Sequence, residues 1–423
     1  MYRKTTLSHD LRVVTHDMKE RESLSLGIWV GSGGRHEEDR VKGVAHFLEH
    51  IAFKGSRKYA CDEIKEKIEG IGGSLNAFTT EEQTCYYAKI PAKHLEKTFD
   101  VLSDIVFFPL ISSKDVEKER GVIIEEIKMY HDLPQYYVLE LLDQLMWPNH
   151  PLGRNLAGTP ETVSQISPQD LRAFHKQHYA SRNVVISACG KVTHKQIVDL
   201  VKKKLHKVPP GQEIDFIKAD NSQNKPRVNF YHKDTEQVHV ALGMFGIEYR
   251  HPDRYALGLL NIILGGNMSS RLFNEIREKR GLAYSISTSV RYLHDTGMFM
   301  VRAGVDNQKI VPAVELILKE LKKVKTHGVT TNEFIRAKDY YLGQVLLGLE
   351  DTLDHMLWMG ESVLLFDHVR TLKELIALIQ KVKKDDLQRM ANFVLKEERF
   401  NLALIGSLKD EQEKYLRSLL KFA

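Results

Sequence analysis

Cysteine is scarce. Only Cys61, Cys85 and Cys189 occur in 423 residues, and none of them is spaced as a metal ligand or as part of a paired framework. That excludes a disulfide scaffold and a thiolate zinc site, and it points to a reducing compartment. Long apolar runs are also missing. No stretch reaches the roughly 18 apolar residues of a membrane helix, and the N-terminal MYRKTTLSHDLRVVTHD has no apolar signal core, so neither a span nor a secretory leader is expected. Charge of one sign is not in excess: 61 Lys and Arg face 56 Asp and Glu, for a formal net charge of +5. The basic residues are dispersed over helix faces, which gives no footing for a nucleic-acid partner. Nucleotide loops are missing as well. Gly265-Gly266-Asn267 is followed by no P-loop lysine, and no G-x-G-x-x-G occurs, so this glycine pair reads as a helix end.

What remains is an ordinary globular composition, 42% hydrophobic and 28% charged, long enough for two or three domains. LRVVTHD and SLSLGIWV read as strands, followed by the glycine-rich turn GSGGRHEE. A helix over Cys61–Gly70 leads into GSLNAFTTEEQTCYYAKIP, a strand–turn–strand hairpin. AKHLEKTFDVLSDIVFFP is an amphipathic helix stopped by Pro109, and Ser113 caps a long helix, KDVEKERGVIIEEIKMYHD. A helix around Tyr136 to Trp147, the capped helix SPQDLRAFHKQHY and the strand NVVISACG complete this half. Residues 206–227 are rich in Pro, Gly and polar residues and read as a linker.

After the linker the order of elements repeats at an offset of 214–218 residues. QVHVALGMFG lies on SLSLGIWVGS, GLAYSISTSVRYLHDTGMFMVRAGV on the hairpin, and FNLALIG on NVVISACG. The chain is therefore a tandem duplication: an N-terminal domain over residues 1–205, the linker 206–227, and a homologous domain over 228–423. Strands and helices without strict β-α-β alternation predict an α+β fold, each unit a mostly antiparallel sheet with helices packed on it.

One stretch carries chemistry. GVAHFLEHIAFKG places His46, Glu49 and His50 on about one helical turn. His46 and His50, four apart, are neighbours on one helix face, and Glu49 flanks them. Two imidazoles so placed can hold one zinc ion, with a carboxylate in reach of a water on it; the order is H-x-x-E-H. An amphipathic helix with two satisfied histidines would also carry these residues. However, the flanking Val44, Ala45, Phe47, Leu48, Ile51, Ala52 and Phe53 are apolar nearly all round, which marks a buried helix. Burying three ionisable groups without partners costs several kcal/mol, and a metal supplies the partner. The second repeat acts as a control: Leu260, Ile263 and Leu264 stand at the positions of His46, Glu49 and His50, so the polar set is not needed to build the domain.

Zinc catalysis needs a third protein ligand and an open position. The helix from Ser113 offers Glu119 and Glu126, seven apart, with Val122 and Ile123 between them and Met129 and Tyr130 beyond. This pattern predicts two carboxylates in an apolar stripe that faces inward. The repeat has Ala337 and Gln344 at these positions, again without charge.

HFLEH with Glu126 76 residues further on, together with GGSLNAFTTEEQTCYYAK and GGNMSSRLFNEIREKRGLAYS, resembles the inverzincin metallopeptidases. These are the pitrilysin and mitochondrial-processing-peptidase superfamily, and the likeness is closest to its bacterial processing-peptidase-like members. It spans essentially the whole chain. It implies one zinc ion per chain held by His46, His50 and Glu126, with Glu49 as the general base and Glu119 as a carboxylate that orients the site. From the second domain it implies Arg277 and Tyr284 as groups that bind substrate backbone and the developing oxyanion. Asn76 and Ala77, in a glycine-flanked strand suited to an edge, are implied to touch the substrate backbone.

The resemblance also implies a clamshell of two bowls, each made of two such units. This chain supplies one bowl, so a partner is required. A homodimer suffices, Arg277 and Tyr284 then serving the zinc of the other subunit; a heterodimer is the alternative. A peptide is the expected substrate, short or unfolded, with no nucleic acid and no membrane involved. One departure stands out. Mitochondrial members that read arginine carry acids ten and fourteen residues after the zinc-binding Glu; here those positions are Tyr136 and Glu140, which leaves Glu140 as the candidate contact for a basic side chain, with nearby Asp132 and Asp143 as weaker substitutes. The competing expectations are a non-catalytic interaction subunit and a zinc hydrolase of non-peptide substrates. A bacterial cytoplasm is the expected location, with a mature organellar matrix protein as the alternative.

Overall fold

The computed structural model describes residues 2–421. The first half runs β1 (Tyr2–Thr6), β2 (Arg12–Asp17), β3 (Ser23–Val30), α1 (Val44–Ala52), α2 (Cys61–Glu69), β4 (Ser74–Thr79), β5 (Thr84–Pro91), α3 (Leu95–Phe107) and α4 (Ser113–Asp132). It continues with α5 (Pro134–Met146), α6 (Pro160–Gln165), α7 (Pro168–His178), β6 (Val184–Gly190) and α8 (His194–Lys204). The second half runs β7 (Arg227–His232), β8 (Gln237–Phe245), α9 (Arg254–Leu264), a π-helical turn at Phe273–Glu278, β9 (Ala283–Tyr292), β10 (Gly297–Asp306), α10 (Ile310–His327) and α11 (Thr331–Gly348). It closes with α12 (Thr352–Phe366), α13 (Leu372–Lys381), α14 (Lys384–Val394), β11 (Asn401–Gly406) and α15 (Asp410–Lys421).

The two sheets have one topology. The first is ordered β1-β2-β6-β3-β5-β4 and the second β7-β11-β8-β10-β9, so that, apart from the extra edge strand β1, each strand has its counterpart at the same place. Pairing is antiparallel except for β2 with β6 and β7 with β11. The expected α+β class and the tandem repeat of mostly antiparallel sheets with helices on them are what the chain folds into.

The compact units are not continuous in sequence. One comprises residues 1–127, 155–217 and 345–372; the other comprises 128–154, 218–344 and 373–423. Within the first unit, α12 packs on the sheet through Met356, Met359 and Val363, against Val14, Trp29, Cys85, Val185 and Cys189. Close approach is built in. A Cβ on Gly360 would lie 1.9 Å from Trp29 Nε1, and one on Gly27 would lie 2.4 Å from Met356 Sδ. Within the second unit, α5 packs Val138, Leu141, Leu142 and Met146 on Ala241, Phe245, Met298, Met300, Ala403 and Ile405. Each sheet thus takes the helix on one of its faces from the opposite half of the chain. The other face of each sheet carries a larger core, with α1 and α3 in the first unit and α9 and α10 in the second.

Candidate metal centre

Helix α1 is held at its start by a buried carboxylate. Glu37 accepts hydrogen bonds from the backbone N–H groups of Gly43 (3.0 Å) and Ala45 (2.8 Å) and pairs with Lys42 Nζ at 2.9 Å. This satisfies donors that an α-helix leaves open at its first turn, with a charge of the favourable sign. Gly43 enters with φ +98°, and a Cβ there would meet the Ala157 carbonyl oxygen at 2.5 Å, so glycine is required. Val44, Ala45, Phe47, Leu48, Ile51 and Ala52 are buried, while His46, Glu49 and His50 are part-exposed on the remaining face.

Helix α4 brings the carboxylates. His50 Nε2 lies 3.5 Å from Glu126 Oε2, and His46 Nε2 lies 3.9 Å from the same oxygen. One ligand atom from each of His46, His50 and Glu126 falls within 4.8 Å of the others, which no other group of three His, Cys, Asp or Glu achieves among the described residues. Bonds of about 2.0–2.1 Å at tetrahedral angles put ligand atoms roughly 3.3 Å apart, so the observed separations suit zinc with little adjustment. Glu119 lies behind His50. Its Oε1 is 2.9 Å from His50 Nδ1 and its Oε2 is 2.7 Å from Lys54 Nζ. Such a carboxylate fixes which imidazole nitrogen faces the metal and how the ring is turned.

The inward stripe expected on α4 is only partly there. Val116, Glu119, Ile123 and Ile127 are buried, but Val122, Met129 and Tyr130 are 47%, 49% and 39% exposed. The buried line advances by three and four residues along the helix and is centred near Val116 and Ile123, with Glu119 toward its border; Val122 and Met129, each three residues beyond a glutamate, turn about 60° further and leave it, and Glu126 lies about 20° outside Glu119. Glu119 therefore lies within the packed face, and Glu126 falls on the seam between that face and solvent.

Electrostatics follow the burial. His46 is pushed down to about 3, first by burial and then by His50, and so is neutral as a metal ligand must be. His46 Nδ1 is buried without a hydrogen-bond partner. For His50 burial acts downward, but the hydrogen bond to Glu119 and the charges of Glu126, Glu119 and Glu49 lift it above the ordinary histidine value. Burial pushes Glu49 up, opposed by a hydrogen bond from Thr79 Oγ1 to Glu49 Oε2 at 2.5 Å. Burial raises Glu119 too, yet His50 and Lys54 hold it below the usual carboxylate range.

Two contributors were not anticipated. Thr79, at the end of β4, meets Glu49 only because α1 packs on that strand. Lys54 follows His50 by four residues, so spacing alone could have found it, although α1 stops at Ala52.

The other predicted residues lie as follows. Asn76 and Ala77 are on β4, which pairs only with β5 and stands at the end of its sheet. Arg277, in the π-helical turn, and Tyr284, on β9, are adjacent in the second unit, the guanidinium 5.8 Å from the Tyr284 ring centroid and 4.8 Å from that of Phe273. Tyr284 is 75% exposed. Glu140 is not part of the cluster of His46, His50 and Glu126; its Oε2 lies 3.4 Å from His131 Nε2, in the second unit. In the second repeat, Leu260, Ile263 and Leu264 are buried core residues.

A duplicated α+β chain with one such cluster, in one copy only, is a recognisable class. Residues 12–160 match the family model for Insulinase (Peptidase family M16), and residues 165–341 match that for the Peptidase M16 inactive domain. The chain belongs to peptidase family M16. It is similar to an uncharacterized zinc protease of Streptomyces coelicolor, 38% identical over 97% of this chain and 90% of that protein. It is also similar to the uncharacterized zinc protease YmxG of Bacillus subtilis, 35% identical over 96% of this chain and 98% of that one. The fold is shared with a protease from Helicobacter pylori, at a TM-score of 0.91 and 24% identity over 96% and 99% of the two chains. It is likewise shared with a peptidase M16 inactive domain from Pseudomonas fluorescens, at a TM-score of 0.89 and 18% identity over 97% and 98%. Among the described residues, no helix is long and apolar enough to cross a membrane.

Proposed function

We propose that this protein is a zinc-dependent metalloendopeptidase that cleaves short or unfolded peptides in a chamber closed by two copies of the chain. The observation that carries the reading is the convergence of His46, His50 and Glu126 within 4.8 Å, with Glu49 on the same turn of helix. Those three residues would hold one zinc ion. When bound, zinc supplies a Lewis acid and lowers the pKa of a coordinated water toward about 7.

The chain's own residues do the rest. Glu49, raised by burial yet held as an acceptor by Thr79, takes a proton from the attacking water and delivers it to the leaving amine. Glu119 orients His50, and Lys54 holds Glu119. The outer edge of β4, which has no strand beyond it among the described residues, offers Asn76 and Ala77 for pairing with an extended peptide backbone. Arg277 and Tyr284, exposed and adjacent, bind substrate and stabilise the oxyanion of the opposite copy. Glu140 serves as a contact for a basic side chain.

The test is peptide cleavage by wild type and Glu49→Gln, with zinc measured in both. The expected result is full zinc content and turnover lowered by orders of magnitude in the variant. Equal turnover refutes the assigned base, and wild-type protein that holds no zinc refutes the enzyme reading in favour of an interaction subunit.

A further inference from the structure

The second unit contains a small cavity of about 330 Å³ where the first turn of α5 leaves the sheet uncovered. Alternation along β10 puts Met298, Met300, Arg302 and Gly304 on the face toward α5. The first two are packed beneath the helix, and the last two line the cavity. Register brings Ser287 beside Arg302, and Ser285 and His239 to either side of Gly304. The floor is therefore polar at this end of a face that is otherwise apolar. Gly304 keeps it open: a Cβ there would lie 2.8 Å from Gln237 Oε1 and 3.2 Å from Ser285 Oγ.

The charge is of one sign. Arg302 and Arg277 both line the cavity, and among the described residues no Asp or Glu does. Arg302 donates through Nε to Ser287 Oγ at 3.0 Å and has no ion-pair partner among the described residues. Arg277 has only a distant one, Glu278 at 3.9 Å from Nε. Two guanidinium groups on the wall of one small cavity give it a positive potential, which favours an anion bound there. Arginine's fixed fork of donors, with serine hydroxyls beside it, matches a carboxylate. The volume lies at the small end for ligand pockets and takes one side chain with its backbone rather than a folded segment.

We propose that this cavity is a carboxylate subsite for the bound peptide, with Arg302 as the residue that selects an acidic group and Ser287 as the group that orients it. The inference rests on the peptidase reading for the identity of the ligand. The carboxylate comes from a Glu or Asp side chain or from the peptide's C terminus.

The experiment uses ten-residue peptides in which Glu or Gln is stepped through every position, each made with a free and an amidated C terminus. Binding is measured by fluorescence anisotropy on the zinc-loaded Glu49→Gln protein, alone and with Arg302→Met or Arg302→Lys added, and cleavage on proteins with native Glu49. The expected result is one position, or the free C terminus, at which the carboxylate improves binding and kcat/KM by about tenfold or more, the scale of a charge-assisted hydrogen bond. Arg302→Met abolishes that preference and leaves the Gln, amidated peptide unchanged, while Arg302→Lys keeps part of it. The position identifies a side chain as the source, and sensitivity to amidation identifies the C terminus. Equal treatment of all peptides by wild type, or a loss in Arg302→Met that is the same with and without the carboxylate, overturns the subsite. Binding preference without any cleavage supports the subsite and overturns the peptidase reading; cleavage without preference overturns the subsite alone.

Discussion

Replacing Glu119 by Gln tests whether the carboxylate behind His50 is part of the metal centre. Glu119 is 3% exposed, accepts from His50 Nδ1 at 2.9 Å and faces Lys54 Nζ at 2.7 Å. Gln has the same shape and can keep its carbonyl oxygen toward His50, so packing is preserved. What changes is charge. A hydrogen bond involving an ionised partner contributes about 1.5–3 kcal/mol and a neutral one about 0.5–1.5, so His50 loses roughly 1–1.5 kcal/mol of orientation and basicity. The amide also turns a donor toward the Lys54 ammonium. The sum predicts zinc affinity lowered by about tenfold or more, within the 10–100-fold range for groups that support metal ligands. Competition with a chromophoric chelator at neutral pH measures it, and circular dichroism of the metal-free proteins checks that both are folded. Lys54→Met leaves the carboxylate in place and should weaken zinc in the same direction by less. Affinity in Glu119→Gln within about twofold of wild type refutes the reasoning, because a charge this close and this buried cannot be neutral in effect if His50 is a ligand.

Two further expectations follow from packing and burial. Gly360→Ala drives a methyl into Trp29 on the buried face of β3 and should destabilise by about 2 kcal/mol, whereas Gly343→Ala, in a helix with nothing within 4 Å of the new Cβ, should stabilise by up to about 1 kcal/mol; urea unfolding measures both, and the opposite ranking contradicts the packing. His178 is pushed down to about 3 by burial and then His36, and His355 to about 4 chiefly by burial, against about 6.5 in the unfolded chain. The unfolded state therefore takes up these protons first, and metal-free protein should keep full stability above about pH 6.5 and lose it as pH falls toward 4. His178→Gln should flatten that slope, and a urea midpoint independent of pH between about 7 and 4.5 disproves the assignment.

Much of this was legible in the chain because it is local or repeated. His46 and His50 are one turn apart, so any helix over HFLEH places them together. The duplication was legible as an offset, and the two sheets keep the same strand order. What was not legible depends on which surfaces meet. The patterns of α5 and α12 say that each has an apolar face, but not that α12 covers Trp29 on the first sheet while α5 covers Phe245 on the second. Thr79 is a threonine before a polar turn, and nothing in that context marks it as the partner of Glu49. Val122 and Met129 leave the packed face because a step of three falls about 60° short of a full turn, which carries them from Glu119 and Glu126 past its edge.

The place of Glu119 and Glu126 at the border of the packed face explains how the site is made. A ligand centred in the packed stripe of α4 would be sealed among Val116, Ile123 and Ile127, and a metal held there would have no open position. A ligand one residue further round would be bathed in solvent and too far from α1. Glu119, at the border of that stripe, is inside, where its charge is held by His50 and Lys54, and Glu126, about 20° further round, is on the seam, where it faces both imidazoles and still borders open space. The second copy has no such demand. Leu260, Ile263 and Leu264 fill the equivalent positions of α9 with buried aliphatic surface, and Ala337 is the only buried residue of α11. The same scaffold thus accepts either answer at this junction of two helices. The first copy gives up apolar burial there for a set of ionisable groups that a bound cation would reconcile.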